Sequence, residues 1–270
     1  MNILEQIVMH KKEEIRKDKK QYPLQFFIDL VAGEISPTRD FLKCIDNSTH
    51  IAVIAELKFA SPSRGTINKK EHLENITQIY DKGGAKAISV LTERKFFLGE
   101  PSNIRKVKNI SKLPVLRKDF IIDEYQIYQS RCLGADAILL IANLLGIDQL
   151  RHFQQLARSL DMDCVVEVHN REELDRALEA EPKIIGINNR NLEDFLVNLS
   201  TTIQLSHLIP RKCLLVSESG IRNRQDMEQL KPYGIDAVLV GESLMAASDT
   251  QKALEELSGI LKNKKKRRKK

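Results

Sequence analysis

Ala55-Glu56-Leu57-Lys58-Phe59-Ala60-Ser61-Pro62-Ser63-Arg64-Gly65 is the stretch on which the reading of this chain turns. An apolar run from Ile51 leads straight into a carboxylate and an amine two positions apart, and a Ser/Pro/Gly loop follows. Residues i and i+2 share a face of a strand, so Glu56 and Lys58 point the same way at the end of a buried strand. Alone, a Glu-x-Lys is an ordinary surface ion pair. At the C-terminal end of a buried parallel strand, the same pair is where an α/β protein places its ligand chemistry.

Seven further runs decide between these readings. Short apolar stretches cover 51–58, 86–92, 114–119, 137–142, 164–169, 184–189, 213–218 and 237–241. They start about 20 to 35 residues apart, room for a strand, a helix and two loops in each repeat. Most are continuously apolar rather than alternating, as in a parallel sheet buried on both faces. Helical spacing fills the intervals at 71–82, 123–132, 146–160, 171–179, 199–207 and 222–230, with Asp123 and Asn170 as N-caps. Eight such units in about 200 residues predict a (β/α)8 TIM barrel. A doubly wound open sheet would want a glycine fingerprint after an early strand, and none is present. Gly134-Ala135-Asp136-Ala137 and Gly234-Ile235-Asp236-Ala237 each lead into a strand, which reads as shared loop chemistry. Ahead of the barrel, 3–18, 24–33 and 39–44 read as helices without a strand. We expect this N-terminal helical extension (about 1–47) to cap the barrel, within one domain spanning 1–260.

The composition is globular, with 42% hydrophobic and 30% charged residues. Tryptophan is absent, so the core must rest on Ile, Leu, Val and Ala. The formal charge of +6 is uneven, because eight of the nine residues 262–270 are basic and without them the body stands at −2. Residues 261–270 therefore read as a solvated, disordered tail. With no interleaved aromatics, it is a weak argument for nucleic acid. Cys44, Cys132, Cys164 and Cys213 form no Cys-x-x-Cys pair and read as reduced thiols. With no signal peptide and no long apolar run, the expectation is a soluble cytoplasmic protein with no membrane partner. The six histidines lack ligand spacing, so no metal is expected.

A barrel concentrates function at the C-terminal ends of its strands. There the chain offers Glu56 and Lys58, Arg117-Lys118-Asp119, Asn143, Glu167, Asn188-Asn189-Arg190, Ser217-Glu218-Ser219-Gly220 and Gly241-Glu242-Ser243. Glu167 interrupts an apolar run, and a buried carboxylate costs several kcal/mol unless paired or protonated. Lys58 and Lys118 are its candidate partners. Asn188 and Arg190 share a face. Gly220 and Gly241 follow the seventh and eighth runs, where barrels bind phosphate through backbone N–H groups. Glu242 is assigned only its backbone N–H, its carboxylate turning away from a phosphate. His169 reads as a satisfied loop histidine.

Six motifs, in order, resemble the indole-3-glycerol phosphate synthase family: Ala-Glu56-Leu-Lys58-Phe-Ala-Ser61-Pro62-Ser63, Leu-Arg-Lys118-Asp119-Phe120, Val-Glu167-Val-His, Gly-Ile-Asn188-Asn-Arg190, Ser-Glu218-Ser219-Gly220-Ile and Val-Gly241-Glu-Ser-Leu-Met. The resemblance runs from about residue 3 to 255. It implies a cofactor-free lyase of tryptophan biosynthesis that closes the indole ring of 1-(o-carboxyphenylamino)-1-deoxyribulose 5-phosphate, releasing carbon dioxide and water. By the same resemblance Lys118 is the general acid and Glu167 the base or cation stabiliser. Lys58 and Glu56 are the charged pair at the mouth. Ser61, Phe120, Asn188, Arg190 and Ser219 hold substrate, and Gly220, Gly241 and Glu242 the phosphate. A monomer not fused to phosphoribosylanthranilate isomerase is expected. Phe59 and Glu100 depart from the family pattern. The competing readings are another phosphate-binding barrel, such as a sugar-phosphate isomerase or a Schiff-base aldolase using Lys118, and an idle barrel that binds nucleic acid through its tail.

Overall fold

The computed structural model describes residues 2–46, 49–62, 64–67, 72–191 and 196–262. Its strands are β1 (Ala52–Leu57), the hairpin pair β2 (Ala60–Ser61) and β3 (Gly65–Thr66), then β4 (Ala87–Leu91), β5 (Val115–Lys118), β6 (Ala137–Ile141), β7 (Asp163–Val168), β8 (Ile184–Asn188), β9 (Leu214–Glu218) and β10 (Ala237–Val240). All but the hairpin join one closed parallel barrel, with β10 pairing back onto β1 from Ala52↔Ala237 to Ala55↔Val240. The TIM barrel is therefore present, and the eight apolar runs are its strands. Alternate residues point inward: Ala52, Ile54, Leu116, Leu139, Val165 and Val216 fill the bore. Their neighbours Val53, Ile88, Val115, Ile138, Val166 and Leu215 face the helical layer. Burial on both faces is why the runs show no polar alternation.

The helices are α1 (Ile3–Gln21), α2 (Leu24–Ala32), α3 (Phe41–Ile45), α4 (Leu73–Lys82), α5 (Asn103–Ile110), α6 (Glu124–Leu133), α7 (Ile147–Ser159), α8 (Arg171–Glu179), α9 (Ser200–Ser206), α10 (Arg224–Leu230), α11 (Glu242–Ala246) and α12 (Thr250–Leu257). Asp123 and Asn170 cap α6 and α8 through their side chains as expected. The sequence reading lacks α5, α11 and α12. In α5 only Ile104 and Val107 are buried, too few apolar positions in a basic segment to show a helical period.

The N-terminal extension holds the barrel at both ends. Ile7 of α1 joins the bore's apolar cluster, with Ile3 and Leu4 beside it. Lys11 Nζ lies 2.9 Å from Asp119 Oδ1, both side chains buried, which fastens α1 to the end of β5. Arg94 links Glu14 (3.5 Å), Asp18 (3.7 Å) and Glu100 (3.4 Å), giving the atypical Glu100 a place in the same latch. Phe27 of α2 meets Tyr125 of α6 edge-on at 5.2 Å between ring centroids. Phe41 and Ile45 of α3 are fully buried in the bore cluster, against the N-terminal ends of the strands. The other atypical residue, Phe59, packs against the outer apolar layer.

Two expectations need correction. Lys262, counted with the basic tail, instead binds Asp236 (3.1 Å), while Leu261 bridges to His50. The remaining tail residues, 263–270, and Ser63 of the first loop lie outside the described residues. Arg117 does not face the mouth. The strand alternation turns it outward, where it donates to the carbonyl of Gln126 (3.1 Å) and to Ser130 Oγ (3.0 Å) behind the barrel wall. Asp119, just past β5, borders the mouth, but its carboxylate is taken up by Lys11 (2.9 Å), Arg117 (3.0 Å) and Thr92 (2.6 Å).

Candidate active site

The C-terminal mouth of the barrel holds a cavity of two lobes. One is mostly apolar, walled by Ile3, Leu4 and Ile7 from α1, Phe97, Phe120, Leu139 and Ile141. The other is polar, about 480 Å³, bounded by Arg64, Ser219-Gly220-Ile221-Arg222 and Gly241-Glu242-Ser243. Glu56, Lys58, Lys118, Arg190, Ser219 and Glu242 line both and form the seam. The structure thus gathers Glu56, Lys58, Ser61, Lys118, Phe120, Glu167, Asn188, Arg190 and Ser219 around the first lobe, and Gly220 and Gly241 around the second. Asn143 is not brought to either lobe; it lines a separate polar cleft behind Asn188.

Strand geometry explains the seam. Inward positions on β1 run Ala52, Ile54, Glu56, and Lys58 follows just beyond the strand. Lys58 Nζ lies 2.7 Å from Glu56 Oε1. On β5 the inward pair is Leu116 and Lys118, on β7 Val165 and Glu167. Lys118 Nζ stands 3.3 Å from Glu167 Oε2 and 3.5 Å from Glu218 Oε2 on β9. Glu218 is the residue whose role the sequence reading missed. It is 1% exposed, and neither of its carboxylate oxygens has a hydrogen bond. Gly186, opposite it on β8, leaves the space its carboxylate fills; a Cβ there would overlap Glu218 Oε1. The signal was available: on β9, Leu214, Val216 and Glu218 share the inward face.

The charges act on one another. Burial alone would drive Lys118 toward neutrality, but Glu167, Glu218 and Glu56 outweigh it and hold the ammonium well above its usual range. Burial opposes ionisation of Glu167, yet Lys118, His169 and Asn188 keep it well below the usual carboxylate range. Glu56 is held low in the same way by Lys58 and Lys118. Glu218 goes the other way: burial pushes it up, Lys118 offsets only part, and the neighbouring carboxylates add to the rise, to about 8. The mouth therefore sets an ionised carboxylate and a protonated one on either side of a single ammonium, an arrangement suited to proton transfer at developing charge.

The polar lobe corrects one expectation. The Glu242 carboxylate does not turn away; it lines the lobe and is neutralised there by Arg64 Nε (2.9 Å) and Arg190 Nη2 (3.1 Å). Gly241 has a second duty besides opening its backbone. A Cβ at 241 would stand 2.6 Å from Glu56 Oε1, so the glycine makes room for the carboxylate of β1. Ser219 takes the left-handed conformation (φ 64°), which non-glycine residues adopt under strain, directly at the end of β9. Asn188 Oδ1 accepts the N–H of Arg190 at 3.0 Å, fixing the turn that carries the arginine.

The family model described as indole-3-glycerol phosphate synthase matches residues 4–257. The indole-3-glycerol phosphate synthase of Legionella pneumophila (strain Paris) is 46% identical over 256 residues, covering 95% of this chain and 98% of the relative. That of Thermoanaerobacter sp. (strain X514) is 44% identical over 263 residues, covering 97% and 98%. Among solved structures, 3-hexulose-6-phosphate synthase from Salmonella typhimurium superposes with a TM-score of 0.62 at 16% identity, over 77% of this chain and 96% of that one. A chain of the Pyrococcus furiosus tryptophan synthase complex superposes with a TM-score of 0.59 at 16% identity, over 79% and 100%. At such low identity these two likenesses bear on the fold alone.

Proposed function

The chain belongs to the indole-3-glycerol phosphate synthase family, and we propose that the two-lobed mouth is where it carries out that family's reaction, with Lys118 and Glu167 moving the protons. The reaction is a carboxy-lyase step of tryptophan biosynthesis: ring closure, decarboxylation and dehydration of 1-(o-carboxyphenylamino)-1-deoxyribulose 5-phosphate to indole-3-glycerol phosphate.

The carboxyphenyl ring lies in the apolar lobe against Phe120 and the first turns of α1. The phosphate lies in the polar lobe, against the backbone of Gly220, Gly241 and Glu242 and near Arg190 and Arg64. The chain between them then crosses the seam. Lys118 protonates the carbonyl oxygen as the ring carbon attacks it. Loss of carbon dioxide from the attacking ring carbon restores the aromatic ring, and Glu167 stabilises the cationic intermediate and takes the proton from the methylene carbon next to the nitrogen as water leaves. Lys58, steadied by Glu56, meets the substrate's anionic groups and assists loss of water. Ser61, Asn188 and Ser219 orient the sugar chain. Such positioning of a flexible substrate adds to the general acid–base contribution. The working unit in this reading is a cytoplasmic monomer. Among the described residues no helix is long and apolar enough to cross a membrane.

The observation that carries the reading is Lys118 at the junction of the lobes, 3.3 Å from Glu167 and 3.5 Å from Glu218. It also weighs against the Schiff-base alternative, because an amine held protonated by the ionised Glu167 and Glu56 is a poor nucleophile. Incubation with the carboxyphenylamino substrate should give indole fluorescence. Lys118→Ala and Glu167→Ala should each lower kcat by at least about 100-fold. Undiminished turnover in either folded variant refutes the assignment of that residue.

A further inference from the structure

We propose that His169 is a positioning residue for this chemistry: wedged between Glu167 and Glu173, it clamps Glu167 in place and thereby settles which mouth carboxylate is left to carry a proton. The inference rests on Glu167 being the base described above.

The clamp is built from the helix beside it. His169 follows β7, and its side chain is 8% exposed. Glu173 of α8 is an anchor with every contact committed. Its Oε2 accepts the backbone N–H of His169 at 2.8 Å and stands 2.9 Å from His169 Nδ1. Its Oε1 accepts Asn170 Nδ2 at 3.0 Å, and its own N–H is donated to Asn170 Oδ1 at 2.9 Å. The imidazole is thus held at one nitrogen, and its Nε2 is presented to Glu167 Oε1 at 3.3 Å. Nδ1 must carry a proton to satisfy Glu173. A neutral ring would then turn the Nε2 lone pair toward a carboxylate oxygen, a repulsive contact. Only the imidazolium makes both contacts favourable. Burial opposes that charge, but Glu167 and Glu173 outweigh it and raise the ring to about 10.

The consequence lies at Glu167. One oxygen meets Lys118 at 3.3 Å and the other meets His169 at the same distance. Glu218 has only Lys118, at 3.5 Å, and no hydrogen bond. The two buried carboxylates are therefore unequal: His169, with the neutral Asn188, stands at Glu167 and neither stands at Glu218, and of the two only His169 brings charge. The charged groups around the imidazole are Glu167 on its own segment and Glu173 on α8, with Lys118 from β5 and Glu218 from β9 beyond Glu167. From β8 comes Asn188, which is neutral and bonds Glu167.

The test uses His169→Asn and Glu173→Gln in the full-length protein. The N-cap bond of α8 runs from the backbone N–H of residue 173 to Asn170 Oδ1 and survives the substitution, so Glu173→Gln remains a folded test even if His169→Asn is not. In both variants kcat should fall, by about 10-fold for His169→Asn and less for Glu173→Gln, with KM changed less than about twofold. The acid limb of the kcat–pH profile should move up, by about one pH unit in His169→Asn, because Glu167 has lost a cation. A wild-type kcat and acid limb in either folded variant, or a change confined to KM, overturns the proposal. Glu167→Gln, measured in parallel, separates the two claims. If it stays active, the assignment of Glu167 fails. If it is dead while His169→Asn matches wild type, only the role of His169 fails.

Discussion

The two ends of this barrel bury the same chemical group and treat it in opposite ways. At the floor, Asp136 accepts the N–H groups of Arg39 (2.6 Å) and Val115 (2.7 Å) and the ammonium of Lys108 (2.6 Å). Asp236 repeats the pattern on the opposite side of the barrel, with the N–H of Leu215 (2.9 Å) and Lys262 Nζ (3.1 Å). Both carboxylates tie one strand's start to its neighbour's. At the mouth, Glu218 is equally buried, yet neither oxygen is hydrogen-bonded, and one oxygen of Glu167 is likewise without a hydrogen bond. An unsatisfied buried polar group costs about 1–3 kcal/mol. The floor spends its carboxylates on stability, and the mouth keeps its own available for a ligand.

The sharpest way to break that comparison is at Glu218. Glu218→Gln should lower kcat by about 100-fold, because it removes the titratable carboxyl that stands 3.5 Å from the Lys118 ammonium. At pH 8 it should also raise Tm by about 2–4 °C, since it removes a charge the fold does not satisfy. Activity assays and calorimetry on one preparation check both. A variant that loses stability along with activity would show that Glu218 belongs with the floor's carboxylates after all.

The floor should give the reverse. Asp136→Ala leaves two backbone N–H groups and the Lys108 ammonium without their acceptor, and should cost about 3 kcal/mol of stability by urea titration. The kcat of the folded fraction should stay within about twofold of wild type, because no group of the mouth touches Asp136. A drop in kcat well beyond the loss of folded protein would mean that the two ends are not independent.

How much of this asymmetry the sequence carries depends on the phase of each strand. Glu167 stands alone among apolar neighbours, so both its burial and its inward direction are legible. Lys118 is legible for a similar reason, between Leu116 and Phe120. Glu218 sits in Ser217-Glu218-Ser219, polar on every side, and only the inward face shared with Leu214 and Val216 reveals it. Arg117 looks as functional as Lys118 until the same alternation turns it outward. The repeated Gly-x-Asp-Ala reads correctly as shared loop chemistry, but its partners do not. Arg39 reaches Asp136 across 97 residues, and no local pattern encodes such a contact. Lys262 hides in a run of like charge that composition assigns to solvent. His169 looks like a loop residue because its meaning lies in Glu173, one helical turn further on.

A smaller effect tests where the mouth keeps its spare proton. Glu218 titrates near 8 in the folded protein, against 4.5 as its ordinary value, because burial and its carboxylate neighbours outweigh Lys118. The folded state therefore holds a proton that the unfolded chain releases as pH rises above about 4.5. The stability associated with Glu218 is full at low pH and is lost as pH climbs toward 8. His169, raised to about 10, adds a loss of the same sign above its ordinary 6.5. Subtracting wild type from Glu218→Gln cancels that contribution. The Tm difference between them should be near zero at pH 5 and widen steadily to pH 8, whereas Asp136→Ala should show no such widening. A flat difference would place the spare proton on Glu56 or Glu167. The mouth would still be the strained end, but the ammonium of Lys118 would then face two ionised carboxylates in an arrangement with a different acid.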